Sequence, residues 1–149
     1  MKNIFDKIDN AELIARINRL HPASAAQWGK MNVAQMMAHV QVPMMLAFDD
    51  IEIKRGLIGL LFGKMAKKQL MSDAPFKKNL PTFRQAKMTG HKDFDIEKEK
   101  LKEYVDRFIN DRVSLTQRPH PIFGILTLAE MNVLHYKHLD HHLQQFGVW

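Results

Sequence analysis

The sequence predicts an all-α protein, a four-helix bundle with an irregular basic insertion between the second and third long helices. Four segments repeat apolar residues at helical spacing behind plausible caps, and no segment shows the apolar-polar alternation of a strand. The length of 149 residues suits a single domain spanning 1–149, with one buried core.

The first helix is read in NAELIARINRL, where Leu13, Ile14, Ile17 and Leu20 share a face behind Asp9 or Asn10 as cap, and His21-Pro22 ends it. The second, in KMNVAQMMAHVQVPMMLAF, begins at an Asn32 cap and is apolar nearly all round, as a helix covered by others should be. Pro43 should kink it. Between Asp49 and Asp93 the pattern weakens: RGLIGLLFGKMAKKQLM could form a helix interrupted by Gly56, Gly59 and Gly63, and DAPFKKNLPTFRQAKMTG reads as loop. FDIEKEKLKEYVDRFIND restores the period through Ile96, Leu101, Tyr104, Val105 and Phe108, with Asp95 as cap and acids in the first turns. In the last helix, TLAEMNVLHYKHLDHHLQQF, Thr127 followed by Glu130 forms a capping-box pattern.

Composition narrows the chemistry. Without cysteine there is no disulfide, thiolate nucleophile or sulfur ligand, so a metal could be held only by histidine nitrogen and by oxygen. The charged opening MKNIFDKIDN lacks a secretory leader's apolar run, and stretches such as LIGLLFG are far shorter than the roughly 18 residues of a membrane span. A cytoplasmic protein without a span is expected. Of the net charge of +6, segment 54–92 alone supplies +9, with Asp73 its only acid, and the remainder is −3. Such a patch attracts anions in general, and nucleic acid is not expected from it alone.

Four of the eight histidines, His135, His138, His141 and His142, fall in the last helix. His138 and His142, four residues apart, lie about 40° from each other on a helical wheel and can reach one ion. Both border the apolar stripe, with His135 about 60° off on its Leu128, Leu139 and Phe146 side and His141 about 60° off on the other. Two ligands are weak alone, since metal sites that act chemically use three protein ligands plus water. The best candidate for a third is His39, inside the apolar second helix, where an unpartnered imidazole is costly to bury. Taken alone, His39 reads first as a structural histidine satisfied by a backbone carbonyl or a side chain, and its coincidence with the pair on the other helix is what favours a metal.

WGKMNVAQMMAHV near the start, HPIFG before the last helix and KHLDHHLQQFG at the end together resemble the DinB/YfiT-like superfamily, over nearly the whole chain. That resemblance implies a four-helix bundle, commonly a homodimer, with a divalent metal (nickel, zinc or iron) on one histidine of the second helix and the i, i+4 pair of the last. Carried onto this sequence it implies His39, His138 and His142 as ligands and His141 as a neighbour. It further implies a metal-dependent enzyme, a hydrolase or a transferase using a low-molecular-weight thiol. The basic segment 54–92 has no counterpart of known role, so a substrate does not transfer.

A divalent ion on three neutral imidazoles keeps its full charge and an open position, enough for hydrolysis or thiol transfer on a small molecule, and the basic segment leads us to expect an anionic one. Gln35 and Gln145 either line the cavity as hydrogen-bond donors or serve as capping or solvated polar residues. Asp140 is expected in solvent, and His120, in P-H-P, either sits near the site or orients its turn, the turn being the favoured reading. Met36, Met37, Met44 and Met45 are expected as core filler. LIGLLFGKMAKK is read as a lid or subunit contact before a membrane-surface segment, because its glycines weaken a regular helix. The competing reading is a non-catalytic binding module that captures an anionic partner through segment 54–92.

Overall fold

The computed structural model describes residues 2–54 and 56–149, with Ile58 described by its backbone alone. Met1 and Arg55, the latter one of the basic residues of segment 54–92, lie outside the described residues. Among the described residues the chain is all-helical: α1 (Lys7–Asn18), α2 (Val33–Ala47), α3 (Leu57–Met71), α4 (Phe94–Asn110) and α5 (Leu128–Gln145), with single 3₁₀ turns at Arg84–Ala86 and Arg112–Ser114. No strand occurs among them, and the one β-type pairing is the isolated bridge between His120 and Gly124.

α2 packs on both α4 and α5, and α1 packs on α4 and α5 from the other side. The core they enclose contains Leu13, Ile17, Met36, Met37, Leu101, Phe108, Leu139 and Leu143, all essentially fully buried. Met36, Met37 and Met44 lie in this core as filler, while Met45 is only half-buried. α2 has thirteen buried residues out of fifteen, which is why its sequence is apolar on every side. The helix continues through Pro43.

Two caps differ from the sequence expectation. α1 begins one turn earlier than its apolar pattern suggests, because Asp6 accepts from the backbone N–H groups of Ile8 and Asp9. Asn10, expected as a cap, is buried and donates to the carbonyls of Ile4 (2.9 Å) and Val105 (2.7 Å), joining the N-terminal strap, α1 and α4. α4 is capped by Asp93, and Asp95 stands in its first turn, where the helix dipole favours it. α2 and α5 carry complete capping boxes, Asn32 with Gln35 and Thr127 with Glu130. Gln35 thus serves as a cap, its amide donating in addition to the Gly90 carbonyl.

The middle segment is more regular than expected. α3 runs unbroken from Leu57 to Met71 through Gly59 and Gly63, and the residues after it are loop apart from the 3₁₀ turn. Lys137 of α5 ties the end of α3 in place by donating to the carbonyls of Leu70, Ser72 and Ala74. Asp140 is paired and not free in solvent: it receives the buried Arg16 of α1 at 2.7 Å and the Gln144 amide at 2.8 Å.

Two histidines belong to this frame. His120 accepts the N–H groups of Ile122 and Phe123 on Nδ1 and stacks on Phe123, so it orients the turn as expected. His135 is enclosed against Phe108, its Nδ1 without a hydrogen-bond partner. Burial lowers both from the ordinary 6.5, His120 to about 4 and His135 to about 3.

Replacing Asn10 by Ala should cost about 2–3 kcal/mol, since it strips two buried carbonyls of their donor, whereas Ile8→Ala, on the exposed face of the same helix, should change stability by less than about 0.5 kcal/mol. Urea midpoints of the two variants check this, and equal losses would refute the bridging role. Acid should also destabilise the fold. The unfolded chain protonates its histidines near 6.5 and the folded chain only near 3 to 4, so stability is complete above about 6.5 and drains away as pH falls toward those lower values. His135→Phe should flatten that decline by up to one proton, read as the slope of unfolding free energy against pH.

Candidate metal centre

The imidazoles of His39, His138 and His142 meet between α2 and α5. One ring nitrogen from each lies within 4.8 Å of the others, so the group could hold a metal ion. The ring centroids are 4.8–5.1 Å apart, and Nε2 of His39 stands 3.2 Å from Nε2 of His138. Two nitrogens each about 2.0–2.1 Å from a tetrahedral zinc-type ion are separated by roughly that distance. The spacing arises because α5 presents residues 138 and 142 on successive turns of one face, while α2 brings residue 39 across from the facing helix.

Hydrogen bonding decides which nitrogens face inward. His39 Nδ1 lies 2.7 Å from the carbonyl oxygen of Ala86, which can only accept, so Nδ1 carries the proton and Nε2 offers its lone pair. For His142 the same result comes through Gln145. The Gln145 amide nitrogen donates to the Trp28 carbonyl at 2.6 Å, which leaves Oε1 to accept from His142 Nδ1 at 2.7 Å. His142 therefore also presents an unprotonated Nε2. Acceptors behind the rings in this way are what metal-ligating histidines use to fix tautomer and orientation. Without an ion, the contact between His39 and His138 requires His138 to donate from Nε2, and ligation requires it to move that proton to Nδ1.

All three rings have their pKa lowered from the ordinary 6.5, which leaves them neutral at pH 7. Desolvation lowers His39, opposed only by the bond to Ala86; desolvation and then the nearby His142 and His39 lower His138 far below its ordinary value; desolvation and then His39 bring His142 to about 3. They can accept a cation at neutral pH without first losing a proton.

The rings open into a cavity of about 450 Å³. Trp28 and Phe76 form apolar walls, His141 leans on both (5.4 and 6.0 Å between ring centroids), and Lys78 sits over the Trp28 ring. Lys30, Lys77 and Lys87 line the cavity, and no Asp or Glu does among the described residues. Gly29 adjoins it with φ +84°, and a Cβ there would come within 2.6 Å of the Gln145 amide nitrogen, so only glycine lets that amide reach Trp28.

The three histidines singled out in the sequence are thus brought together, with His141 as a wall neighbour. Gln145 does lie at the cavity, but as an acceptor behind His142 and a donor to backbone. His120 and His135 lie elsewhere, on a separate cavity. Sequence reasoning missed the Ala86 carbonyl, which has no side-chain signature, and the walls Trp28 and Phe76. Trp28 opens the stretch WGKMNVAQMMAHV that leads into α2, and that nearness to His39 was the available signal.

No helix among the described residues is long and apolar enough to cross a membrane. Comparison with curated proteins and with solved structures gives no match. Residues 4–148 match the family model described as "Protein of unknown function (DUF1569)", and the chain belongs to that family.

Proposed function

We propose that this protein is a metal-dependent enzyme acting on a small anionic molecule, with His39, His138 and His142 as ligands of a divalent ion such as nickel, zinc or iron. The observation that carries the reading is the matched polarity of the rings: Nδ1 of His39 and of His142 each face an acceptor, while Nε2 of His39 lies 3.2 Å from that of His138. Structural histidines need only one satisfied nitrogen, and nothing in that role calls for two buried rings and a half-buried third converging at this spacing.

A bound divalent ion supplies Lewis acidity and a position open to substrate or water. The protein's own residues do the rest. Lys30, Lys77 and Lys87 draw an anionic group toward the rings. Trp28 and Phe76 exclude water beside it and strengthen its electrostatic attraction. The Ala86 carbonyl and Gln145 hold two of the three ligands in orientation. Hydrolysis needs no further group, and transfer to a thiol needs one from a small molecule, since the chain has no cysteine.

The DinB/YfiT-like kinship belongs to the same proposal, with α1, α2, α4 and α5 as the bundle's four helices and α3 as an insertion. So do a homodimer and a cytoplasmic location. Supporting the helix assignment is the packing of α1 and α2 against both α4 and α5.

Untagged protein stripped with chelator and refilled should hold about one zinc, nickel or iron per chain by elemental analysis. His39→Ala and His142→Ala should each lower affinity by at least about a hundredfold, and Gln145→Leu by about 10–100-fold with all ligands intact. Unchanged metal content in His39→Ala would falsify the three-histidine centre. Because all three rings are already neutral, titration calorimetry in buffers of different ionisation enthalpy at neutral pH should find essentially no proton released by the imidazoles. Release of two or three protons would contradict their burial as neutral rings.

A further inference from the structure

α3 has its amphipathicity turned inside out. Its inward face is Gly59, Gly63 and Leu70, with Ala66 half-buried beside them. These positions recur at helical spacing, and three of the four are small, so the helix lies close against the body and hides little apolar surface of its own. The opposite face carries Leu57, Leu61 and Met65, exposed at 77, 74 and 67 %, flanked by Leu60 and Phe62 at 60 and 52 %. Lys64 and Lys68 are interleaved on that same outward face, and no acid occurs between residues 57 and 71. The third lysine, Lys67, is turned aside to Glu130 at 2.9 Å and to the Ile125 carbonyl.

Contiguous exposed side chains of this size mark a surface that something covers. The charge decides what. A second copy docked through the same face would set Leu61 against Leu61 but would also bring Lys64 and Lys68 near their counterparts, with no carboxylate on the face to answer them. The surroundings add to the repulsion, since segment 54–92 is +9 overall. An apolar stripe rimmed by lysines instead fits a surface whose outer layer is negative and whose interior is hydrocarbon. The glycines do not argue against it, because they face the body and leave the helix intact over its 15 residues.

We propose that α3 is an interfacial helix that seats the protein on the surface of an anionic lipid bilayer. Leu57, Leu61, Phe62 and Met65 enter the boundary between headgroups and acyl chains, and Lys64 and Lys68 extend to the phosphates. The site between α2 and α5 takes no part, so the two proposals stand or fall separately.

Flotation of the full chain with vesicles of phosphatidylcholine, with and without phosphatidylglycerol, tests it. Binding should require phosphatidylglycerol and weaken as salt is raised. Leu61→Ser should reduce partitioning at least about tenfold. Changing Lys64 and Lys68 to Gln should reduce it roughly fivefold per lysine. Far-ultraviolet circular dichroism should be unchanged in these variants, and Ile8→Ser, exposed on α1, should bind as wild type. The proposal is overturned if the chain ignores anionic vesicles, if it binds neutral ones equally well, or if Leu61→Ser floats normally. It is also overturned if light scattering finds a dimer that Leu61→Asp splits, since α3 would then be covered by a second copy.

Discussion

The carboxamide of Gln145 is held at both ends, and the candidate centre takes its polarity from that clamp. Its nitrogen must donate, because the Trp28 carbonyl can only accept; its oxygen is then left for His142, which must carry its proton on Nδ1. Rotating the amide by half a turn would break both bonds. The backbone of Gln145 adds a third tie, accepting from the N–H of Gln27 at 2.8 Å. One residue at the end of α5 therefore positions the loop before α2, closes one side of the cavity and determines which nitrogen of a ring faces its neighbours. Gly29 is the condition for this, as any side chain there would occupy the place of the amide.

A comparable constraint acts on the opposite helix through a different kind of partner. His39 is oriented by the carbonyl of Ala86, at the end of a short 3₁₀ turn in the long connection between α3 and α4. Ala86 is almost fully buried although nearly all its neighbours in sequence are exposed. Ala86 is thus the one buried residue of the connection, and it stands behind a candidate ligand. The basic residues of segment 54–92 separate into distinct roles: Lys77 and Lys87 line the cavity, Lys64 and Lys68 face outward from α3, and Lys67 is paired within the molecule. A single count of +9 conceals this division.

The helices and the histidine group could be read from the sequence because both depend on periodicity. His138 and His142 are four apart on a strongly patterned helix, and His39 stood out as the one titratable side chain in a largely apolar helix. Partners that are backbone atoms could not be read, since the carbonyls of Ala86 and Trp28 look like any others until the chain is folded. The α1 cap was misplaced for a related reason. Asn10 has the chemistry of a cap, but burial of the carbonyls of Ile4 and Val105 required a donor at that position, and Asp6 was free to cap the helix instead. Asp140 was expected in solvent because the wheel of α5 alone cannot show that Arg16 of α1 lies across from it. In α3 the glycines were taken as interruptions when they are the residues that let the helix lie against the body.

The burial that keeps the three rings neutral has two consequences that cannot be separated. A ring that resists protonation is available to a cation at neutral pH without competition from protons, and the same resistance makes the folded state lose ground to the unfolded one as soon as pH drops below about 6.5. Evolution could relieve the acid sensitivity only by admitting water or a carboxylate to the rings. Water would weaken the attraction between the cavity's lysines and an anion, and a carboxylate would cancel part of it. The absence of Asp and Glu from the described lining of this cavity, beside three lysines, is consistent with a site whose field must stay positive. Acid sensitivity and attraction for anions then share one physical origin, the exclusion of negative charge and solvent from the space between α2 and α5.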